Sequence, residues 1–528
     1  MSAEIPVREL WRPRYSPWLV AASVMLATSM EVLDTSIANV ALPHIAGNLS
    51  ASTSEATWVL TSYLVANAII LSASAWLSSF FGRKRYLAFS VALFVISSAL
   101  CGMAQSLPQL IFARVLQGIG GGGLQPLAQA IMLECFLPEE RGVAMAAYGM
   151  GIVVMPIVGP TLGGWITDNF SWRWIFYINL PVGIAGLWMQ HVFVEDPPWI
   201  VRNVKASIDY IGFGLMAVGI GLLQVVLDKG QEVDWFGTPW IRWGTAVSAV
   251  SLTLFVFWEL RDRHPILNLR LLKNRNFATA TFLVATLGAV MYGLTAILPI
   301  FEQSLLGYSA LEAGLAMTPR GIGSLLSMLT VGRIVKRVDN RLLLMCGFLG
   351  LGVATWLLSR LDLDITASSI SWPLVLSGFW TGFIFVPLTT LGVATLRQDE
   401  IQQATSLYAL LRNLGASIGI SAIIAMQLRA AQTHQSMLAA HMTPYDPAFR
   451  LGLGRIAGAM HGIGAQVSHS MALDVVYSEL VRQANLLSYL DAFRWLATIA
   501  VGVAALAWVM EARHVDRGDV AEHLVVAE

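Results

Sequence analysis

This chain is short of charge. Asp, Glu, Lys and Arg make up 12% of its 528 residues, whereas soluble domains carry about 25%. So little charge cannot wet a globular surface, which excludes a soluble enzyme, and an apolar majority excludes a disordered chain. Neither sign prevails: 33 basic residues cancel 33 acidic ones. No net field is left to draw a polyanion, and nucleic-acid binding is excluded with it. Cysteine is nearly missing. Cys101, Cys135 and Cys346 lie in or beside apolar runs without metal-ligand spacing, and read as small core hydrophobes, not as a disulfide framework. No G-x-x-x-x-G-K-[ST] sequence occurs, so ATP drive is not expected. Nor do paired His ligands or a nucleophile–base pair stand in the apolar runs, so no enzyme activity is expected. What the chain has is apolar residues, 56% of the total, with 45 Gly and 18 Trp.

A bilayer core about 30 Å thick takes roughly 20 apolar residues per helix. Fourteen such runs can be read, at about 18–40, 56–79, 86–104, 108–132, 142–166, 172–193, 208–227, 239–259, 277–301, 311–332, 342–359, 371–394, 402–427 and 487–510. Lipid offers the backbone no hydrogen-bond partner, so runs this long predict helices, not barrel strands. The expected fold class is therefore an all-α integral membrane protein. No A-x-A-like cleavage site follows the first run, which reads as an uncleaved span.

Lys and Arg in the short loops give the orientation. Segments on the N-terminal side collect roughly 21 of them, from Arg8, Arg12 and Arg14 through Arg202, Lys205, Arg263 and Lys336 to Arg513 and Arg517. The opposite short segments hold only Arg173, Lys229, Arg242 and Arg360. Both termini are expected in the cytoplasm. Residues of about 428–486 join the last two runs on the outside; they are too polar to span, and their spacing suggests a helical hairpin.

Chemistry concentrates in a few motifs. The first run contains MEVLDTSIANVALPHIA, in which Glu31 and Asp34 are three apart and share a helix face. Counted from Trp18, Asp34 lies about 24 Å along the helix, inside the apolar slab. A carboxylate there must meet a polar cavity, a partner or a proton. The fourth run, LIFARVLQGIGGGGLQP, sets Arg114, Gln117 and Gln125 around four glycines. Arg114 is expected either to exchange hydrogen bonds with Asp34 or to form a static buried pair. In the fifth run, Gly159, Pro160, Gly163 and Gly164 combine a small-residue face with a freed carbonyl, a pattern suited to a hinge. The turn at Gly82, Arg83 and Lys84 has a counterpart in VGRIVKRVDNRLL, a faint internal repeat. As bare charge, each reads as a topology anchor. Arg320 and Arg412 fall in later runs where no matching buried acid is apparent.

Together the acid-bearing first run, the Gly–Arg–Lys turn, R-x-x-Q-G and G-P-x-x-G-G resemble the major facilitator superfamily. Fourteen runs, LDTSIANVALPHIA, NFSWRWIFYINLPVG and LDKGQEVDWF are similar to its fourteen-spanner drug:proton antiporters, and among them to EmrB-type multidrug exporters. The chain departs from the superfamily in having Ala75 and Ser79 where Gly and Asp are usual, and in Glu31, where many relatives are apolar. The resemblance implies two six-helix bundles, 1–195 and 273–528, with two linker helices in 196–272. It implies proton-driven export of amphipathic toxic molecules with no cofactor beyond the proton gradient. Asp34 would carry the proton with Glu31 and Arg114, while Gln117, Gln125, Arg320 and Arg412 would line the substrate cavity. Either the two arginines complete a network with the acids or they meet anionic substrates. An EmrA-like periplasmic adaptor and a TolC-like outer-membrane channel are the implied partners, with 428–486 as the docking segment. Export of one metabolite or siderophore is an alternative, as is a non-transporting envelope scaffold.

Overall fold

The structure is a computed structural model that describes residues 13–511 except 138–139, 197–208, 263–264, 336, 364–366, 398–399 and 460–464. Arg8, Arg12, Arg202, Lys205, Arg263, Lys336, Arg513 and Arg517 lie outside the described residues. Among those described, all regular structure is helical. The first half contains α1 (Pro17–Asn48), α2 (Thr53–Ala56), α3 (Trp58–Phe81), α4 (Arg83–Met103), α5 (Leu107–Gly121), α6 (Leu124–Cys135), α7 (Arg141–Asn169), α8 (Trp174–Tyr177) and α9 (Asn179–Phe193). Then come α10 (Tyr210–Lys229) and α11 (Pro239–Arg261). The second half contains α12 (Arg275–Leu305), α13 (Ala310–Ala316), α14 (Thr318–Ile334), α15 (Asn340–Leu358), α16 (Ala367–Val393), α17 (Ile401–Ala440), α18 (Pro447–Ala459) and α19 (Ala465–Val503).

Eleven described helices are each long and apolar enough to cross a membrane. The other three expected runs are divided between shorter helices, each for a local reason. The fourth breaks at Gly122 and Gly123, between α5 and α6. A Cβ at Gly122 would meet the Asn67 carbonyl, and one at Gly123 the Tyr86 ring; the glycines let α3 and α4 come in close. The sixth breaks at Ile178, which sets Asn179 at the start of α9. The tenth breaks at Met317, because Pro319 is accommodated in the first turn of a new helix, α14.

Large side chains such as Phe112, Trp188 and Trp243 point outward, as a lipid-facing surface requires. Each half has an apolar cluster of its own: Ile37, Ile45, Leu110 and Phe176 in the first, Leu294, Phe301, Phe348 and Phe493 in the second. A shared cluster joins the halves toward the Gly82 turn, where Met132, Met145 and Tyr148 meet Met328, Phe383 and Val386. There Ser74 and Ser406 also hydrogen-bond at 2.9 Å. The two halves are thus in apolar contact at the Gly82 end. Helix α10 bridges them: its Asp228 accepts from Thr61 of α3, and its Gln224 accepts from Ser417 of α17 at 3.0 Å.

The expected hairpin is present but differently built. Helix α17 runs unbroken to Ala440 and α19 starts at Ala465, so the hairpin arms are continuations of the flanking runs, with α18 at the tip. Gln427–Ser488 at 2.9 Å, His434–Asp491 at 2.8 Å and Gln435–Tyr477 at 3.1 Å clamp the arms together.

Candidate functional site

Asp34 of α1 and Arg114 of α5 meet in the first half with almost no solvent exposure, 2% and 0%. Arg114 Nη1 donates to Asp34 Oδ2 at 2.6 Å and to Gln117 Oε1 at 2.8 Å, while its Nε donates to the Val59 carbonyl at 3.1 Å. Asp34 Oδ1 accepts from Gln117 Nε2 at 2.9 Å and from Asn179 Nδ2 at 2.7 Å. Ser98 Oγ accepts from both of those amides. The guanidinium lies over the Tyr63 ring, 4.2 Å from its centroid. A charge withdrawn from water is tolerated when its lone pairs and protons are met in this way. Arg114 Nη2 is the one group of the cluster left without a partner among the described residues.

One helical turn away, Glu31 has a different shell. It accepts from Gln125 at 2.7 Å, and from Tyr63 and Asn67 at 3.3 Å each. All three donors are neutral. Gln125 then turns its carbonyl oxygen to Arg412 of α17, in the other half. A carboxylate of the first half is therefore linked to a cation of the second through one amide, with the Tyr148 hydroxyl holding the Gln125 backbone at 2.9 Å. Gln117 and Gln125, both expected to line a cavity, are engaged with the two acids. Arg412 joins this network and Arg320 does not: Arg320 donates to Thr295 of α12 at 2.7 Å and is 3% exposed.

The Major Facilitator Superfamily sequence profile matches residues 24–420, three quarters of the chain. The chain belongs to the major facilitator superfamily. Fatty acid resistance protein FarB of Neisseria gonorrhoeae is 35% identical over 491 residues, covering 93% of this chain and 95% of FarB. Multidrug export protein EmrB of Escherichia coli K12 is also 35% identical over 491 residues, covering 93% and 94%. Among solved structures, the proton:xylose symporter XylE superposes with a TM-score of 0.60 at 15% identity, covering 93% of this chain and 95% of XylE. That last likeness is one of fold.

In this superfamily member the turn between α3 and α4 is built without the usual acid. Gly82 takes φ 86°, a left-handed conformation that suits glycine. Arg83 turns inward, 4% exposed, and pairs with Glu134 at the end of α6. Lys84 Nζ donates to the His191 carbonyl at 2.7 Å, and its backbone N–H donates to Asp196 at 2.7 Å. Ser79 only caps its own helix, donating to the Trp76 carbonyl. The Gly–Pro motif packs on α1. Pro160 cannot donate to the carbonyl of residue 156, and Ser36 Oγ donates to it instead at 2.9 Å. Cβ atoms at Gly159 or Gly163 would meet Ser36 and Ile37, whereas Gly164 has more room and Pro160 faces Gly314 of α13.

Several members of the site were not singled out from the sequence. Asn179 lies inside the NFSWRWIFYINLPVG block, and a lone amide in an apolar run was its only signal. Ser98, Tyr63, Asn67 and Glu134 carried less. One expectation is corrected: the second half does contain a buried acid, Glu302 of α12, which lies one residue beyond the run read as 277–301.

Proposed function

We propose that this integral membrane protein exports amphipathic small molecules across a bacterial inner membrane in exchange for protons, with both termini and the Gly82 turn in the cytoplasm. The observation that carries this reading is the Glu31–Gln125–Arg412 link, a buried acid of one half tied to a cation of the other. A proton on Glu31 removes the charge that orients Gln125, and so loosens a bond between the halves. Asp34 and Arg114 supply the deeper charge exchange: a proton on Asp34 frees the guanidinium to take another partner. The substrate class is supported by the relatives, one named for multidrug export and one for fatty acid resistance.

A drug-susceptibility panel in a pump-deficient bacterial host tests the reading. Wild-type protein should raise resistance to cationic and neutral amphiphiles, and collapsing the proton gradient should abolish it. Unchanged susceptibility across the panel would reject export. Glu31→Gln should lower resistance to cationic and neutral compounds alike, about tenfold, the equivalent of roughly 1.4 kcal/mol. Loss for cationic compounds alone would instead assign Glu31 to substrate charge preference.

The tripartite arrangement, with an EmrA-like adaptor and a TolC-like channel, is proposed on the hairpin. Met437, Tyr445, Leu451 and Tyr477 are exposed there, 58%, 90%, 65% and 59%. Apolar side chains grouped on a polar protrusion favour a protein partner. Replacing 428–486 by a Gly/Ser linker should abolish co-purification with the adaptor and whole-cell resistance, while gradient-driven transport in vesicles persists. Retained co-purification would overturn the docking role.

A further inference from the structure

Glu302 is not used by the cycle outlined above. It sits in the last turn of α12 and is 0% exposed. Neither carboxyl oxygen has a hydrogen-bond partner among the described residues. Leu298, Phe301 and Leu305 adjoin it along the helix, and belong to the apolar cluster that includes Leu358, Leu361 and Leu374.

None of the charged and titratable groups on the elements around it bonds to its carboxyl among the described residues. Arg320 of α14 donates to Thr295, two turns deeper on α12. Glu312 of α13 is exposed and forms a capping box with Ser309, whose backbone N–H donates to its carboxylate at 2.8 Å. Tyr489 of α19 packs its ring on Phe301, with centroids 5.4 Å apart, and Asp491 of α19 is paired with Arg494 and with His434 of α17. Arg412 of α17 faces Gln125. Helix α16 contributes the hydroxyls of Ser377 and Thr381, each bonded within its own helix. Arg270, Lys273 and Glu511 adjoin the opposite end of α12.

An ionised carboxylate with no partner in such a place costs several kcal/mol, far more than a neutral carboxyl. Hard metal cations gather about six oxygen ligands, and here one carboxyl stands alone among leucines and a phenylalanine. A proton is the ligand that fits. We propose that Glu302 is a second proton-binding site, in the second half, loaded from the side opposite the Gly82 turn and emptied when the halves rearrange. Loading forms one O–H bond with a proton from external water and leaves the site neutral; release returns that proton to water. The inference rests on the proton-driven reading for its role, but its occupancy can be tested without a transported drug.

Infrared difference spectra of the purified full-length chain in lipid, recorded across a pH series, read the carbonyl stretch of protonated carboxyls. Wild-type protein should show such a band, and the band should fade as the pH rises. Glu302→Gln should lose it, while Glu31→Gln retains it. If Glu302→Gln does not insert, Glu302→Leu serves, since leucine suits the surrounding cluster. A band of equal size in the Glu302 variant overturns the assignment. So does a Glu302 band that never changes with pH, which marks a permanently neutral structural acid. Failure of gradient-driven drug export in wild-type vesicles, with the band present and titrating, rejects the export reading and leaves the proton site standing.

Discussion

Asp34→Asn should reduce proton-driven export in reconstituted vesicles to the level of protein-free vesicles. The substitution keeps the shape of the side chain and removes the charge that Arg114 Nη1 meets at 2.6 Å. Arg114, 0% exposed, is then a buried cation with no counterion in the cluster. Breaking one side of a buried pair costs about 3–5 kcal/mol, so the variant should also unfold at lower temperature. Loss of stability and loss of coupling are separated by the double variant Asp34→Asn/Arg114→Gln. It removes both charges, so it should recover most of the lost thermal stability and none of the export. Wild-type export by Asp34→Asn, or recovered export in the double variant, would leave the coupling role to Glu31 alone.

The second large effect is expected at the contact of α14 with α16. A Cβ at Gly378 would fall on the Arg320 carbonyl, and a Cβ at Gly323 on the Val375 carbonyl. The two glycines are reciprocal, each admitting the backbone of the other helix. Backbone cannot move aside by changing rotamer, so Gly378→Ala should cost about 3 kcal/mol, the upper end for an overpacked site. In cells the expected result is little folded protein in the membrane, measured by size-exclusion of a fluorescent fusion. Gly452→Ala on α18, where a Cβ meets nothing within 4 Å, should behave as wild type. Equal yields for both variants would show that α14 and α16 separate readily.

The sequence disclosed the parts of this protein that lipid constrains most strongly. A backbone in hydrocarbon must bond to itself, so long apolar runs had to be helices, and eleven of them are single spanning-length helices. Asp34 and Arg114 were legible for the same reason: a charge inside such a run demands a partner. Neutral polar residues make no such demand. Asn179 and Ser98 could each have satisfied themselves within a helix, as Thr28 does by donating to the Val24 carbonyl, and only the packing together of α1, α4, α5 and α9 brings them to Asp34. The break at Gly122–Gly123 was hidden because glycine is common in spans; the approach of Asn67 and Tyr86 is a tertiary fact. Glu302 escaped because it stands at the edge of its run, where a charge reads as a boundary.

The unbroken course of α17 and α19 has a mechanical consequence. The described arms contain no proline, and three side-chain hydrogen bonds hold them to each other. The 40 residues of α17 span about 60 Å as one rod. Any tilt of the second half within the membrane must therefore sweep the hairpin tip through a larger arc outside it, as the far end of a lever moves further than its fulcrum. A molecule resting on that tip would feel each turnover as a displacement, without any change in the hairpin itself.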